Sequence, residues 1–229
     1  MHKSQIKALF FDLDHTLWDF ETNSAQAFKE LFQVFQIRLP LADFLAVYVP
    51  NNINYWKLYR EGKIDQETLR FERLKTVFDA LHYPATDALI IDMSDAYIQT
   101  LPEYNTLFEG TIEMLTALKP HYALHVITNG FQDVQHFKMR NSGLLPFFET
   151  ITDSASVGVK KPDPKIFEHA LKMGGVAPWE ALMIGDSLEA DIEGALATGM
   201  HAVHFMPTVK KHSQYYKEIE NLSELDFLL

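Results

Sequence analysis

The apolar positions of this chain change period twice along its length. Ile6 to Phe11 is a short continuous apolar run, read as a buried strand, and it ends abruptly in Asp12 and Asp14. From about Glu21 to Leu101 the pattern turns helical. Ala27, Leu31, Val34 and Phe35 fall at helical intervals, and Leu69, Arg70, Arg73, Leu74, Val77, Phe78 and Leu81 form a second such series. Pro40, Pro50 with Asn51 and Asn52, Gly62 and Pro84 punctuate this stretch into roughly four helices.

After Pro102, strands and helices alternate. Helices are predicted over Gly110–Leu118, Phe131–Ser142, Pro164–Met173 and Leu188–Thr198, with strands over Ala123–Thr128, Thr150–Thr152, Ala181–Gly185 and His201–Phe205. Strands separated by helices of this length pair in parallel through right-handed crossovers, which predicts an α/β fold with a doubly wound parallel sheet. Tyr215, Tyr216, Ile219, Leu222, Leu225 and Leu228 predict a last helix packed against it. The sequence shows no internal repeat and no low-complexity segment.

Composition narrows the classes. At 229 residues the chain can bury a real core, and with 47% hydrophobic and 22% charged residues it has an ordinary globular balance. No apolar run approaches the roughly 18 residues of a membrane helix. The basic N-terminus precedes an apolar run, but Asp12 and Asp14 interrupt it and no small-residue cleavage site follows, so a cytoplasmic location is expected. The absence of cysteine removes disulfides, thiolate metal sites and thiol nucleophiles. A net charge of -11 argues against binding a nucleic acid polymer, which needs clustered Lys and Arg. A small anion needs only local positive charge, which one metal ion and one lysine can supply.

Four predicted strand ends or adjoining loops carry polar groups: Asp12, Asp14 and Thr16 in DLDHT; Thr128-Asn129-Gly130; Lys161 in GVKKPDPKIF; and Gly185-Asp186-Ser187 with Asp191 beyond it. Each alone is an ordinary turn or helix cap. Together they lie where a doubly wound sheet gathers its loops, outside the carboxyl ends of the strands. Asp12, Asp14 and Asp186 offer hard oxygen ligands suited to Mg²⁺, and Asp12 is also a candidate nucleophile toward phosphorus. Thr128 and the N–H groups of Asn129 and Gly130 suit phosphate oxygens, and Lys161 supplies positive charge. Asp14 is placed to protonate a leaving oxygen and later to accept a proton from water.

On these motifs, in this order, the chain closely resembles the haloacid dehalogenase superfamily over essentially its whole length. The resemblance implies that Asp12 is the nucleophile, Asp14 the general acid and base, and Thr128 and Lys161 ligands of the phosphoryl group. It further implies that Asp186 binds Mg²⁺ with the Asp12 carboxylate and the main-chain carbonyl of Asp14, and that Asp191 supports the metal site and the lysine. Lys160 is a rival for the third motif, but the family pattern sets its lysine immediately before the proline, as Lys161 stands. Asp14 matches an acid that the dehalogenases lack, which points to phosphoryl transfer. His15 departs from the pattern, since many members have glycine there.

By the same resemblance, residues 1–17 and 102–229 form the core, and 18–101 the helical cap that closes over it and selects substrate. Tyr55, Trp56 and Tyr59, with Trp18 and Phe20, either stack on a nucleobase or pack internally. Arg60, Arg70 and Arg73 are expected at the surface or in ion pairs. The segments ITNGFQDVQHFKMRNSGLLPFFE, SVGVKKPDPKIFEHAL and WKLYREGKI are similar to bacterial pyrimidine 5'-nucleotidases of the superfamily. This implies a Mg²⁺-dependent phosphomonoesterase acting on nucleoside monophosphates through an aspartyl phosphate, with a sugar phosphatase or a β-phosphoglucomutase-like phosphomutase as the alternative; a non-enzymatic ligand-binding module ranks last, because every residue that phosphoryl transfer requires is present.

Overall fold

The computed structural model describes residues 5–206 and 216–225 of the 229-residue chain. Among the described residues six strands form one sheet: β1 (Ala8–Phe11), β2 (Ala123–Thr128), β3 (Thr150–Asp153), β4 (Ala181–Gly185), β5 (His201–Phe205) and β6 (Lys217–Ile219). Their order is β3-β2-β1-β4-β5-β6, and every pairing is parallel. β1 is central and all four of its residues are buried, because helices cover both faces of such a sheet. Ala8 and Phe10 join one apolar cluster with Ile166, Phe167, Ala170, Met183 and Ala195. Phe11 meets Phe148 edge-on instead, with ring centroids 6.1 Å apart.

The sheet's register aligns the strand ends. Phe11 is level with Val126 on one side and Ile184 on the other, so the chain leaves β1, β2 and β4 within about one residue pair of the same line. Asp12, Thr128 and Asp186 are thereby carried to one edge.

The chain divides into two compact units, Glu21–Tyr104 and the remainder. The helical unit contains α1 (Phe20–Val34, bar its first residue), α2 (Leu41–Arg60), α3 (Gln66–Ala80) and α4 (Asp87–Thr100). Asp65 and Thr86 cap α3 and α4 by accepting main-chain N–H bonds from Thr68 and Leu89. Phe28, Phe44, Tyr48, Phe78 and Tyr97 fill its interior. Pro50 does not end a helix as its sequence context predicts, and α2 runs through it. Tertiary contacts override the local signal: Asn51 Nδ2 donates to the Arg73 carbonyl at 2.9 Å, and Asn52 Oδ1 accepts from Arg73 Nη1 at 3.2 Å.

Arg73 also departs from expectation. It is only 2% exposed, not a surface residue, and its guanidinium lies 5.1 Å from the Tyr97 ring centroid. Arg70 does form an exposed ion pair, with Asp95. Tyr55 is tied to α3 by a 2.9 Å hydroxyl bond to Thr76, and Trp56 meets Tyr59 edge-on.

In the sheet-bearing unit the remaining helices are α5 (Thr111–Leu118), α6 (Gln132–Asn141), α7 (Ser154–Val157), α8 (Pro164–Gly174) and α9 (Gly194–Ala197). α8 starts at Pro164 as expected, and Asp163 caps it by accepting from Lys165 N–H. The helix predicted over Leu188–Thr198 is instead a π-helical turn, Leu188–Glu193, leading into α9. Gly194 packs so tightly there that a Cβ would come within 2.6 Å of Phe167. The final predicted helix is also corrected. Tyr216 precedes β6, which adds an edge strand beside β5, and a 3₁₀ turn follows over Leu222–Glu224. Ile219, Leu222 and Leu225 stand three apart and are all buried, a spacing that a strand followed by a 3₁₀ turn satisfies as well as an α-helix. Tyr215 and Leu228 lie outside the described residues.

Candidate active site

The loop after β1 is wound around one carbonyl. The Leu13 oxygen accepts from the N–H groups of Leu17 and Trp18 at 3.0 and 2.9 Å, with Thr16 at 3.4 Å. This tight winding places His15 in the left-handed region at φ 64, a conformation that favours glycine. The loop is then pinned to the segment that re-enters the unit: Asp19 N–H donates to Thr106 and Phe108 N–H donates to Leu17. Asp12 and Asp14, flanking Leu13, are held in fixed and different surroundings.

Asp12 is 8% exposed and its Oδ1 receives Lys161 Nζ at 2.6 Å. Lys161, 2% exposed, also donates to the Ile127 carbonyl at 2.7 Å and forms an ion pair with Asp191 Oδ1 at 2.6 Å. Its pKa is raised because the two carboxylates outweigh the burial that opposes its charge. The peptide bond from Lys161 to Pro162 is cis. Lys160 is half-buried, and its carbonyl accepts from Asp163 N–H.

Asp191 sits in the π-helical turn, where Ser187 N–H donates to its Oδ2 at 3.0 Å. It lies across Gly185, where an added Cβ would fall 2.3 Å from Asp191 Oδ2. Asp186 accepts from the Thr16 hydroxyl at 3.3 Å, and its main-chain oxygen lies 2.7 Å from His204 Nε2. Burial above all, then the charge of Asp191, pushes the Asp186 carboxyl up to about 7. Burial raises Asp12 well above the usual carboxylate range, with Lys161 opposing.

Oxygens of Asp12, Asp186 and Asp191 lie within 4.8 Å of one another. Three carboxylates facing one ammonium leave an excess of negative charge, and the donors are all hard oxygens. That is the environment a small divalent cation such as Mg²⁺ fits. The Asp14 carboxylate stands outside this group.

Thr128 Oγ1 accepts from Gly130 N–H at 3.1 Å and from Gln135 Nε2 at 2.8 Å, so its own proton remains to be donated. The Gly130 N–H is therefore not the open phosphate donor predicted from Thr-Asn-Gly. The Asn129 side chain is likewise engaged: Nδ2 donates to the Lys161 carbonyl at 3.0 Å and Oδ1 accepts Lys161 N–H at 2.8 Å. It locks the second motif to the third.

Two residues at the site escape sequence reasoning. On α6, Gln135 Nε2 donates to Asp14 Oδ2 at 2.8 Å and Lys138 Nζ donates to Asp14 Oδ1 at 2.6 Å. The legible trace is that two polar residues three apart interrupt the face carrying Val134 and Met139. Trp18, read as a possible base-stacking group, is fully buried, and its ring centre lies 4.1 Å from Lys138 Nζ.

A parallel sheet whose central strand ends in a carboxylate paired to a buried lysine defines an α/β protein with a charged site outside the carboxyl ends of its strands. The chain belongs to the haloacid dehalogenase-like hydrolases, whose family model matches residues 6–199. It is 30% identical over 228 residues to HAD-hydrolase YfnB of Bacillus subtilis, covering 97% of this chain and 95% of that one. It is 30% identical over 193 residues to the pyrimidine 5'-nucleotidase YjjG of Escherichia coli, covering 84% and 82%. The pyrimidine 5'-nucleotidase PynA of Streptococcus pneumoniae is 30% identical over 231 residues, covering 97% and 93%. The crystal structure of YfnB bound to magnesium superposes with a TM-score of 0.88, at 30% identity, over 97% of this chain and 98% of that one. Among the described residues no helix is long and apolar enough to cross a membrane.

Proposed function

We propose that the protein is a Mg²⁺-dependent phosphomonoesterase of the cytoplasm that hydrolyses nucleoside 5'-monophosphates. The observation that carries the reading is the buried Lys161 held at 2.6 Å from both Asp12 and Asp191, with the strand register carrying Asp12 to the same edge as Thr128 and Asp186. The nucleotide preference rests on similarity to YjjG and PynA. Substrate choice is assigned to the helical unit.

Asp12 and Asp186, with the main-chain carbonyl of Asp14, would hold Mg²⁺, with Asp191 supporting them. When bound, the ion supplies positive charge that offsets the repulsion between the Asp12 carboxylate and an anionic phosphate. Lys161 adds to that charge, and Thr128 donates its free hydroxyl proton to a phosphoryl oxygen. Asn129 contributes by fixing the Lys161 backbone.

An Asp12 carboxylate oxygen attacks phosphorus, and the bond from phosphorus to the ester oxygen breaks. Asp14 gives its proton to that departing oxygen. Water then attacks the phosphorus of the aspartyl phosphate and gives a proton to Asp14. Breaking the bond to Asp12 releases phosphate and restores both residues.

Purified protein assayed with Mg²⁺ against pyrimidine and purine monophosphates, sugar phosphates and phosphoglycolate is expected to prefer the nucleotides. Preference for sugar phosphates would overturn the substrate assignment and leave the mechanism in place. Asp12→Asn and Asp186→Asn are expected to lose at least about 100-fold in turnover of p-nitrophenyl phosphate. Near-normal turnover by either would overturn the mechanism.

A further inference from the structure

Lys138 has an environment that fold stability alone does not call for. It is 2% exposed, and burying an ammonium is unfavourable unless a counter-charge compensates it. Its Nζ lies 2.6 Å from Asp14 Oδ1, with the Trp18 ring centre at 4.1 Å and that of Phe20 at 5.2 Å. The rings supply cation–π attraction and exclude water from one side of the pair. One helical turn back on the same face, Gln135 reaches the other carboxylate oxygen of Asp14 and the Thr128 hydroxyl, both at 2.8 Å. Room for that amide is left by Gly130, where a Cβ would fall 2.3 Å from the Gln135 side chain.

We propose that Lys138 and Gln135 are positioning residues that hold the Asp14 carboxylate in its proton-transfer orientation, and that Gln135 ties this orientation to the phosphate-facing hydroxyl of Thr128. The inference rests on the acid–base role given to Asp14 under Proposed function. An aspartate side chain turns about two torsions, and one donor on each oxygen fixes both. Each oxygen keeps a second lone-pair direction, so the clamp leaves a place for the transferred proton. Misplacement of a reacting group by about 1 Å can cost on the order of 100-fold in rate, so a rigid hold has a direct kinetic return.

The test uses leaving-group dependence. A departing p-nitrophenolate hardly needs protonation, phenolate needs it more, and the 5'-alkoxide of a nucleoside needs it most. kcat/KM is measured for the full-length wild-type protein, Lys138→Met, Gln135→Met and Asp14→Asn with p-nitrophenyl phosphate, phenyl phosphate and uridine 5'-monophosphate. Melting temperature and inhibition by inorganic phosphate are followed in parallel. Met fills the Lys138 volume beneath the rings without its charge, and Gln135→Met carries the test if Lys138→Met does not fold.

The expected result is a graded loss in both clamp variants, about 10-fold with the nitrophenyl ester and about 100-fold with the nucleotide. Phosphate inhibition by Lys138→Met is expected to stay at the wild-type level. Equal losses across the three esters, or none, would show that the clamp only supports the fold, and would overturn the proposal if Asp14→Asn is itself graded. A flat profile in Asp14→Asn would overturn the acid–base reading of Asp14 and this inference with it.

Discussion

Asp12 and Asp14 are separated by one residue yet meet different lysines, Lys161 in one case and Lys138 in the other. The sequence makes the first partner legible as a site residue, because Lys161 stands in a recognisable KKPDP context. It hides the second, because Lys138 lies in an amphipathic helix where a lysine ordinarily reads as solvated. Asn129 shows the same limit: its type and place mark it as a site residue, but not that its side chain would be spent on the Lys161 backbone. His15 is the converse case. Its departure from the family's usual glycine becomes intelligible only with φ 64, a backbone region that costs a non-glycine residue on the order of 1 kcal/mol. At this scale the sharpest prediction concerns Gly130. Ala at that position would displace Gln135, whose atoms lie 2.3 to 2.8 Å from the new Cβ. Gly130→Ala is expected to keep the circular dichroism of the wild type while losing about 10-fold or more in phosphatase rate. An unchanged rate would show that the Gln135 amide is dispensable.

Among elements, the strands after Pro102 were readable because fully buried parallel strands are short apolar runs between helix signals. The failures come where packing overrides a local signal. Pro50 is exposed within α2, and the buried Phe44, Tyr48 and Asn52 hold the helix together on either side of it. A proline inside a helix forfeits a hydrogen bond and costs about 3 kcal/mol, partly offset by about 1 kcal/mol of unfolded-chain restriction. Pro50→Ala is therefore expected to stabilise the helical unit by about 2 kcal/mol, read as a higher denaturant midpoint. A lower midpoint would mean that the proline relieves strain in α2. The π-helical turn at Leu188–Glu193 was equally invisible, since its residues suit an α-helix. Its effect is to set Asp191 over Gly185 and against Lys161, a placement tied to the extra width of that turn.

For the molecule as a whole, the acidic cluster couples stability to pH and to metal. The Asp186 carboxyl, ordinarily near 3.8, is raised to about 7, and Asp12 is raised as well. A carboxyl raised by folding favours the folded state while protonated. That contribution is complete below about pH 4 and is lost as pH climbs through about 7. Mg²⁺ should restore it by binding the ionised form, so the rise in melting temperature on adding Mg²⁺ is expected to be larger at pH 8 than at pH 5. Scanning fluorimetry with Mg²⁺ or chelator checks this, and equal shifts at the two pH values would count against a metal site at these carboxylates. Taking the difference between the two conditions removes His125, whose depressed pKa makes the fold lose stability as pH falls.

The hydrogen bonds from Asp19 to Thr106 and from Phe108 to Leu17 join the outgoing and returning passages of the chain on either side of residues 21–104. An excursion that departs and returns through one stitched seam is closed by the core itself, so its length adds little to the entropic cost of closing it. The sheet therefore constrains only the seam, not what is strung from it. A lineage can lengthen, shorten or exchange the inserted helices, and with them the molecules it accepts, while Asp12 stays where β1 puts it. The fold in this sense separates inheritance of a reaction from inheritance of a diet.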